Sequence, residues 1–238
     1  FWKQKICGYQ SLYNPKSKFG TVIHLVLEEA LKSFSKGVKW TLAKLIQEFE
    51  THMLNFYFPD HHRAELNALG LQMLTSYYTV FSKNLNKYDL AEMKMFSNLN
   101  LNGFPSAGVI DRLSPNYQNK TYKLVDYKTG TPVKIDGSTF KAFKHRMQLT
   151  FYKEMLLQHA KFQSFKMESA EFHFLKSKNP DAVIQGYLPE DSDRDVLYKL
   201  MEFVARQIQS RELVDVGGFA KTDAGSMKFV DAVLNDQF

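Results

Sequence analysis

The sequence predicts an α/β fold, with a central mixed β-sheet flanked by helices and an inserted helical segment. Short stretches that alternate apolar and polar residues, as strands do, occur between residues 90 and 128 and again between 168 and 188. Longer stretches with apolar residues three or four positions apart, as in amphipathic helices, precede, separate and follow them. Strand runs that alternate with helical runs are typical of α/β domains.

The helices are predicted from their apolar stripes and their start signals. A first helix is predicted to begin near Gly20 or Thr21, which are suitable N-cap residues. Four more segments have helical periodicity: residues 41–58, 60–85, about 145–160 and 191–211. The first two of these make segment 36–88 a predicted helical insertion, and residues 212–238 are predicted to be a weakly patterned C-terminal tail.

The strands are predicted from period-2 alternation. They are residues 90–101, 108–113, 121–128, 168–176 and 182–188. Asn102-Gly103 supplies a hairpin turn after the first strand, and residues 114–120 form a polar turn between the second and the third. Because the first three strands follow one another through short turns, we predict that they form an antiparallel meander.

Composition narrows the class of protein. The 238 residues, 44% hydrophobic and 14% aromatic, suffice for one sizeable globular domain. No apolar run approaches the roughly 20 residues that span a bilayer, and the first residues do not form a signal peptide, so we expect a soluble, cytoplasmic protein without a membrane partner. Because the chain begins with Phe1 rather than Met, we expect it to be part of a longer protein.

Charge and cysteine content point to partners and exclude some sites. A net charge of +6 and a pI near 9.1 favour a polyanionic partner such as nucleic acid. The single cysteine, Cys7, excludes an internal disulfide and a structural zinc site built from cysteines.

Three charged side chains on two predicted strands suggest the chemistry. Asp111 lies in the second strand, and Asp126 and Lys128 lie in the third. Residues two apart on a strand share a face, and an antiparallel neighbour can bring Asp111 beside them. Two carboxylates that converge at the end of a sheet form a hard-oxygen site for Mg²⁺ or Mn²⁺, and the ammonium is left for a phosphate or a water. This arrangement favours hydrolysis of a phosphodiester.

These residues resemble a known signature. Asp111, followed by Asp126-Tyr127-Lys128 in the string VDYKTG, is similar to the motif of the PD-(D/E)XK nucleases in its RecB-type form. Two more motifs lie in the family's order, one on each side: Gly20-x-x-x-His24-x-x-x-Glu28 before and Gln148-x-x-x-Tyr152 after. Glu92 matches an acidic residue that these domains often carry upstream of Asp111. The resemblance covers roughly residues 1–210.

The resemblance implies a fold and an activity. The fold would be a restriction-endonuclease-like core forming one nuclease domain over residues 1–238. The activity would be that of an Mg²⁺- or Mn²⁺-dependent exodeoxyribonuclease, acting on single-stranded DNA or strand ends in repair or recombination. Its nearest likeness, to nuclease domains fused to UvrD-like helicases or of the AddA and AddB type, implies a helicase domain in the full-length chain. Some relatives hold an iron-sulphur cluster with three cysteines after the last helix; residues 212–238 contain none, so no cluster is expected.

The resemblance also assigns roles to residues. The metal ligands would be His24, Asp111, Asp126 and the backbone carbonyl of Tyr127. Lys128 would orient or deprotonate the attacking water, or neutralise charge that develops on the phosphate. The residues expected to contact DNA are Gln148, Tyr152, Lys141, Lys144 and Arg146, with Tyr152 stacking on a base.

Simpler interpretations of these residues stay open at this point. Asp111 could form a surface ion pair with Arg112, Asp126 could only pair with Lys128, and His24 could be a core histidine. Gln148 and Tyr152 could line the sheet edge, and the basic residues 134–146 could form a solvated loop. The whole chain could be a non-catalytic nucleic-acid-binding module or an interaction domain that retains the fold.

Overall fold

The computed structural model describes residues 14–95, 99–179, 182–211 and 214–238. The chain divides into two compact units, residues 1–84 and residues 85–238. Cys7 lies outside the described residues. The sequence-based expectation of one nuclease domain over residues 1–238 stays a prediction.

The first unit is helical, with α1 at Pro15–Ser35, α2 at Leu42–Asn55 and α3 at Asp60–Lys83. The predicted start of α1 near Gly20 is wrong. Asn14 is the N-cap, because its side chain accepts hydrogen bonds from the backbone N–H groups of Lys16 and Ser17, and Pro15 suits the first helical position. The two helices predicted between residues 36 and 88 are confirmed as α2 and α3, which pack with α1.

Close approach of α2 and α3 depends on one glycine. Gly70 of α3 faces the Phe49 ring of α2, and a Cβ at position 70 would overlap that ring. Phe49 is fully buried and meets Phe19 of α1 edge to face, with 6.4 Å between ring centroids. The three helices therefore share one aromatic contact at the centre of their unit.

The second unit contains a mixed β-sheet, as the sequence predicts. The strands are β1 Leu90–Met95, β2 Asn100–Leu101, β3 Phe104–Pro105, β4 Gly108–Asn116, β5 Thr121–Lys128, β6 Lys166–Phe174 and β7 Ile184–Gly186. Five of them form a sheet in the order β1-β4-β5-β6-β7. The β5–β6 pair is parallel and the other pairs are antiparallel, which confirms the meander of β1, β4 and β5.

Several predicted strand boundaries are wrong. β6 covers Lys166–Phe174 rather than 168–176, and β7 covers Ile184–Gly186 rather than 182–188. The strand predicted over residues 90–101 ends at Met95, and β2 pairs instead with β3 across a tight turn at Asn102 and Gly103, whose φ angles are 50° and 84°. These positive values explain why Asn-Gly is favoured there. The strand predicted to end before Ser114 continues to Asn116, with Pro115 paired opposite Tyr122.

Three helices accompany the sheet: α4 Phe140–Gln158, α5 Asp191–Ser210 and α6 Asp223–Leu234. Helix α4 begins earlier than predicted because Thr139 caps it, its hydroxyl accepting the N–H of Ala142. Helix α6 lies in the segment predicted to be a weakly patterned tail. None of the described helices is both long and apolar enough to cross a lipid bilayer.

Helix α4 packs on one face of the sheet. Its residues Leu149, Met155 and Leu156 belong to the same buried cluster as Leu124 of β5 and Phe172 of β6. This packing orients α4 so that polar side chains next to its apolar face lie near the end of β5.

The opposite face of β4 carries a buried ion pair. Strand alternation directs Arg112 away from the side occupied by Asp111, and the Arg112 guanidinium lies 2.8 Å from the Asp89 carboxylate. Asp89 also accepts hydrogen bonds from the Asn86 backbone N–H and the Ser114 hydroxyl. Both members of the pair are buried, so the surface ion pair between Asp111 and Arg112, considered from the sequence, is wrong.

We expect Asp89→Ala to lower the free energy of unfolding by about 3 to 5 kcal/mol, because it leaves the Arg112 charge buried without its carboxylate partner. Glu168→Ala is the matched control, since it removes a carboxylate from an exposed pair with Lys123 and should cost about 0 to 1 kcal/mol. Urea unfolding at neutral pH measures both. Equal, small losses in the two variants would mean that the buried pair does not hold β4 in place.

Candidate active site

The acidic residues predicted from the sequence meet where β4 and β5 pair. The Asp111 carboxylate on β4 accepts a hydrogen bond of 2.7 Å from the backbone N–H of Tyr127 on β5. Asp126 immediately precedes Tyr127 on β5. The hydrogen bond therefore places Asp111 of β4 beside the residue that follows Asp126. The expectation that the Asp111 and Asp126 carboxylates share one metal ion stays a prediction.

Asp126 is the buried centre of a polar network. It is only 2% exposed, and its Oδ2 lies 2.6 Å from Lys128 Nζ. Its Oδ1 accepts a hydrogen bond of 2.7 Å from Gln148 Nε2. Lys128 Nζ in turn donates to Gln148 Oε1 at 2.9 Å, which closes a ring of three side chains.

Lys128 is held in place but remains accessible. Its side chain is partly exposed, and its ammonium lies 5.0 Å from the centre of the Phe172 ring, within the range of a cation–π contact. The aromatic ring on one side and the Asp126–Gln148 pair on the other restrict the ammonium to one position near the end of β5. An ammonium restricted in this way can meet negative charge on a substrate without reorganising.

Gln148 and Tyr152 lie one helical turn apart on α4, and their side chains are in contact. The Tyr152 hydroxyl accepts a hydrogen bond of 2.9 Å from Gln148 Nε2. Burial, and then the negative charge of Asp126, raise the pKa of Tyr152, so its hydroxyl stays protonated. The Tyr152 ring is 8% exposed and offers no open face to a base, so the geometry replaces the predicted stacking role with positioning of the Gln148 amide.

Glu92 contributes a further carboxylate that the sequence analysis noted without making it a ligand. It lies on β1 between two positions paired with β4, and a carboxylate oxygen of Glu92 lies within 4.8 Å of one of Asp111. Its φ angle is 47°, a left-handed conformation that is unfavourable for a glutamate. Such strain costs about 1 to 3 kcal/mol and clusters at functional sites.

These oxygens suit a hard divalent cation. Two ligand oxygens at about 2.1 Å from one Mg²⁺ lie about 3 to 4.2 Å from each other, a range that the spacing of Glu92 and Asp111 permits. His24 is half-buried on α1 in the first unit, and its predicted role as a ligand stays a prediction. The same holds for the carbonyl of Tyr127. The Tyr127 side chain is buried beside His173, and burial raises its pKa to about 12.

Glu28, the acidic partner of His24 in the first motif, forms an ion pair with Lys32 one turn along α1. This contact engages the Glu28 carboxylate within α1.

The basic segment predicted to be a loop is mostly helical, and its cations differ in availability. Lys141 donates to the Thr131 carbonyl at 2.7 Å. Arg146 donates to the carbonyls of Ile135 and Gly137 at 2.6 and 2.9 Å. Both therefore brace the loop before α4, and Arg146 is better explained as a structural residue than as a phosphate contact. Lys144 is exposed beside the Phe140 ring.

His145 lies next to the site, although no sequence motif marks it. Its ring centroid lies 4.6 Å from that of Phe172, the ring that Lys128 also contacts. Burial, and then the positive charges of Lys128, Lys141 and Lys144, lower the pKa of His145 to about 4. The imidazole is therefore neutral at physiological pH and adds no charge beside the lysine.

Comparison with known protein families gives a match to the PD-(D/E)XK nuclease superfamily over residues 1–218. The chain belongs to this superfamily. Membership supports a metal-dependent nuclease with DNA as its substrate class, in agreement with the restriction-endonuclease-like sheet and with the carboxylates at its end. A search of curated proteins finds no significant match.

The lowered pKa of His145 in this PD-(D/E)XK protein predicts a pH effect on stability. Between about pH 6.5 and pH 4 the unfolded chain binds a proton at His145 that the folded chain does not bind. The contribution of His145 to the free energy of unfolding is therefore fully present above about pH 6.5 and declines as the pH falls toward 4.

We expect the wild type to lose more unfolding free energy between pH 7 and pH 5 than the His145→Gln variant, as measured by urea unfolding at both values. An identical loss in the two proteins would show that His145 titrates normally in the folded state.

Proposed function

We propose that this chain is an Mg²⁺- or Mn²⁺-dependent deoxyribonuclease of the RecB type. The observation that carries the proposal is the convergence of Asp111, Asp126 and Lys128 at the paired ends of β4 and β5, with Glu92 and Gln148 beside them. The motif order and the superfamily match support the same assignment.

The acidic residues would hold the cation. Glu92 and Asp111 supply oxygens at compatible spacing. Asp126, His24 and the Tyr127 carbonyl would be the remaining ligands, as the family motif implies. When bound, a divalent ion polarises the phosphodiester and lowers the pKa of a coordinated water. The Asp126 carboxylate already forms an ion pair with Lys128 and a hydrogen bond with Gln148, so it is oriented before any ion binds.

Lys128 is the residue that would act on the phosphate. The Asp126 carboxylate lies against its ammonium, and Phe172 supports it from one side. A fixed cation of this kind stabilises the negative charge that grows on the phosphoryl oxygens, or orients the attacking water. Gln148 would act through Lys128 and Asp126, because it bonds to both and its own amide is held by Tyr152.

The substrate would be DNA held through its backbone. Lys144 is an exposed cation near the start of α4, and Lys141 lies one turn before it on the same helix, with its ammonium bonded to the Thr131 carbonyl. Phosphate contacts from such residues do not read base sequence. A strand-processing exonuclease, paired with a helicase domain in a longer DNA repair or recombination protein, fits backbone contacts better than a sequence-specific enzyme. No iron-sulphur cluster is expected, as the sequence indicates.

We expect the purified protein to cut a labelled oligonucleotide in the presence of Mg²⁺ or Mn²⁺ but not of EDTA. Asp111→Asn and Lys128→Ala should each slow cutting by about 10²-fold or more, because one weakens ion binding and the other removes transition-state charge stabilisation. Asp195→Asn, a change at an exposed carboxylate on α5, is the control and should cut normally.

If Asp111→Asn and Lys128→Ala fold and cut as fast as Asp195→Asn, the catalytic assignment is wrong. DNA binding without any cutting by the wild type would favour the non-catalytic binding module instead.

A further inference from the structure

Three exposed segments of the second unit bring aromatic rings together away from the candidate active site. They are the loop before β1, the turn between β4 and β5, and the loop between α4 and β6. The rings of Tyr88 and Tyr117 meet edge to face with centroids 5.5 Å apart, and Tyr117 meets Phe165 in the same way at 5.8 Å. We call these three residues, with Lys87 and Lys161, the aromatic–lysine patch.

The patch has a buried phenylalanine at its base and two exposed tyrosines at its surface. Phe165 is buried and packs against Phe162, with 5.4 Å between centroids. Tyr88 and Tyr117 are 47% and 40% exposed. Two neighbouring tyrosines that leave this much ring surface in water, on a support fixed to the core, form a surface suited to a partner.

The patch carries two lysines and no acidic residue, and Glu168, the exposed carboxylate just beyond the 159–166 segment, is paired with Lys123. Lys87 Nζ lies 4.7 Å from the Tyr88 ring centre and Lys161 Nζ lies 5.1 Å from that of Tyr117. Residues 85–88, 117–120 and 159–166 contain four lysines and no acidic residue. The nearest acidic side chain in sequence, Asp89, is buried and paired with Arg112.

Exposed aromatic rings with lysines beside them match one ligand chemistry best. Unpaired bases stack on aromatic side chains, while neighbouring cations take the phosphates of the same strand. Paired bases in a duplex have no free faces for such stacking. A protein partner would need an acidic or apolar face, but the mixture of lysines and open rings suits a polyanion with flat bases.

The position of the patch also suits a strand that extends from the active site. Asp111 and Tyr117 lie six residues apart along β4 and its turn, which is about 20 Å at roughly 3.3 Å per residue. At about 3.4 Å per phosphate this corresponds to about six nucleotides of a stacked strand.

We propose that the aromatic–lysine patch binds single-stranded nucleic acid, about six nucleotides from the point of cutting. The link to cutting depends on the nuclease function proposed above, whereas binding at the patch can be measured by itself.

The test is fluorescence anisotropy with a labelled single strand of about 20 nucleotides, longer than one aromatic binding site. A duplex of the same length is measured beside it, with Ca²⁺ in place of Mg²⁺ to suppress cutting. The double change Tyr88→Ala with Tyr117→Ala should weaken single-strand binding by about 5- to 150-fold per stacked base. It should leave the salt dependence unchanged. Lys87→Gln with Lys161→Gln should instead flatten the slope of log affinity against log salt by about 1.4.

Two controls separate stacking from other effects. The double change Tyr88→Phe with Tyr117→Phe keeps the rings and should bind as the wild type does. Tyr57→Ala, at a highly exposed tyrosine of the first unit, should also bind normally. Normal binding by the double alanine variant, equal losses in the phenylalanine or Tyr57 variants, equal losses on duplex DNA, or no binding by the wild type would each overturn the proposal.

Cutting distinguishes this proposal from the nuclease function. If the wild type binds through the patch but never cuts in Mg²⁺, the nuclease proposal fails and the patch stands. If it cuts, and the double alanine variant binds and cuts long single strands as well as the wild type does, the patch fails and the nuclease proposal stands.

Discussion

A carboxylate buried at the end of a sheet is the constraint on which the rest of the site depends. Asp126 is almost completely removed from water, and a buried charge is tolerated only when a countercharge and hydrogen bonds meet it. Lys128 supplies the countercharge and Gln148 supplies a hydrogen bond. Gln148 can do so only because α4 packs on this face of the sheet through Leu149 and its apolar neighbours. The position of the helix and the chemistry of the site therefore have the same cause.

Strand alternation divides the polar residues of β4 and β5 between the two faces of the sheet. Asp126 and Lys128 face α4, whereas Arg112 and Tyr127 belong to the opposite side. There Tyr127 lies in register with His173 of β6, and His173 bonds to Glu171 at 2.9 Å. Arg112 is tied to Asp89. These hydrogen bonds and ion pairs on the face opposite α4 limit the movement of the strands that carry Asp111 and Asp126. A metal site needs such rigidity.

The sequence was informative wherever local pattern decides structure. The alternation of apolar and polar residues identified the strands that carry Asp111 and Asp126. The two-residue spacing of Asp126 and Lys128 predicted that these two side chains share a face of the sheet. The sequence was less informative about helix starts. Asn14-Pro15 is a better start signal for α1 than Gly20, and Thr139 begins α4 several residues before the predicted start near residue 145.

The remaining features could not be predicted because they depend on tertiary contacts. The left-handed backbone of Glu92 is not encoded by a glycine or an asparagine, so no local signal marks it. Tyr152 has the composition of a stacking residue, yet the packing of α4 buries its ring and leaves only its bond to Gln148. Arg146 looked like a phosphate ligand, but the loop before α4 occupies its donors.

We propose that Glu92 and Asp111, with Asp126 on the neighbouring strand, bind one divalent ion at the end of β4 and β5. Crystals soaked in Mn²⁺ and measured near the manganese absorption edge would test it directly through the anomalous difference density. We expect a peak about 2.1 Å from an Asp111 oxygen and in reach of Glu92 or Asp126, and no such peak in crystals of Asp111→Asn. A manganese peak only at other carboxylates, or an unchanged peak in the Asp111→Asn protein, would contradict it.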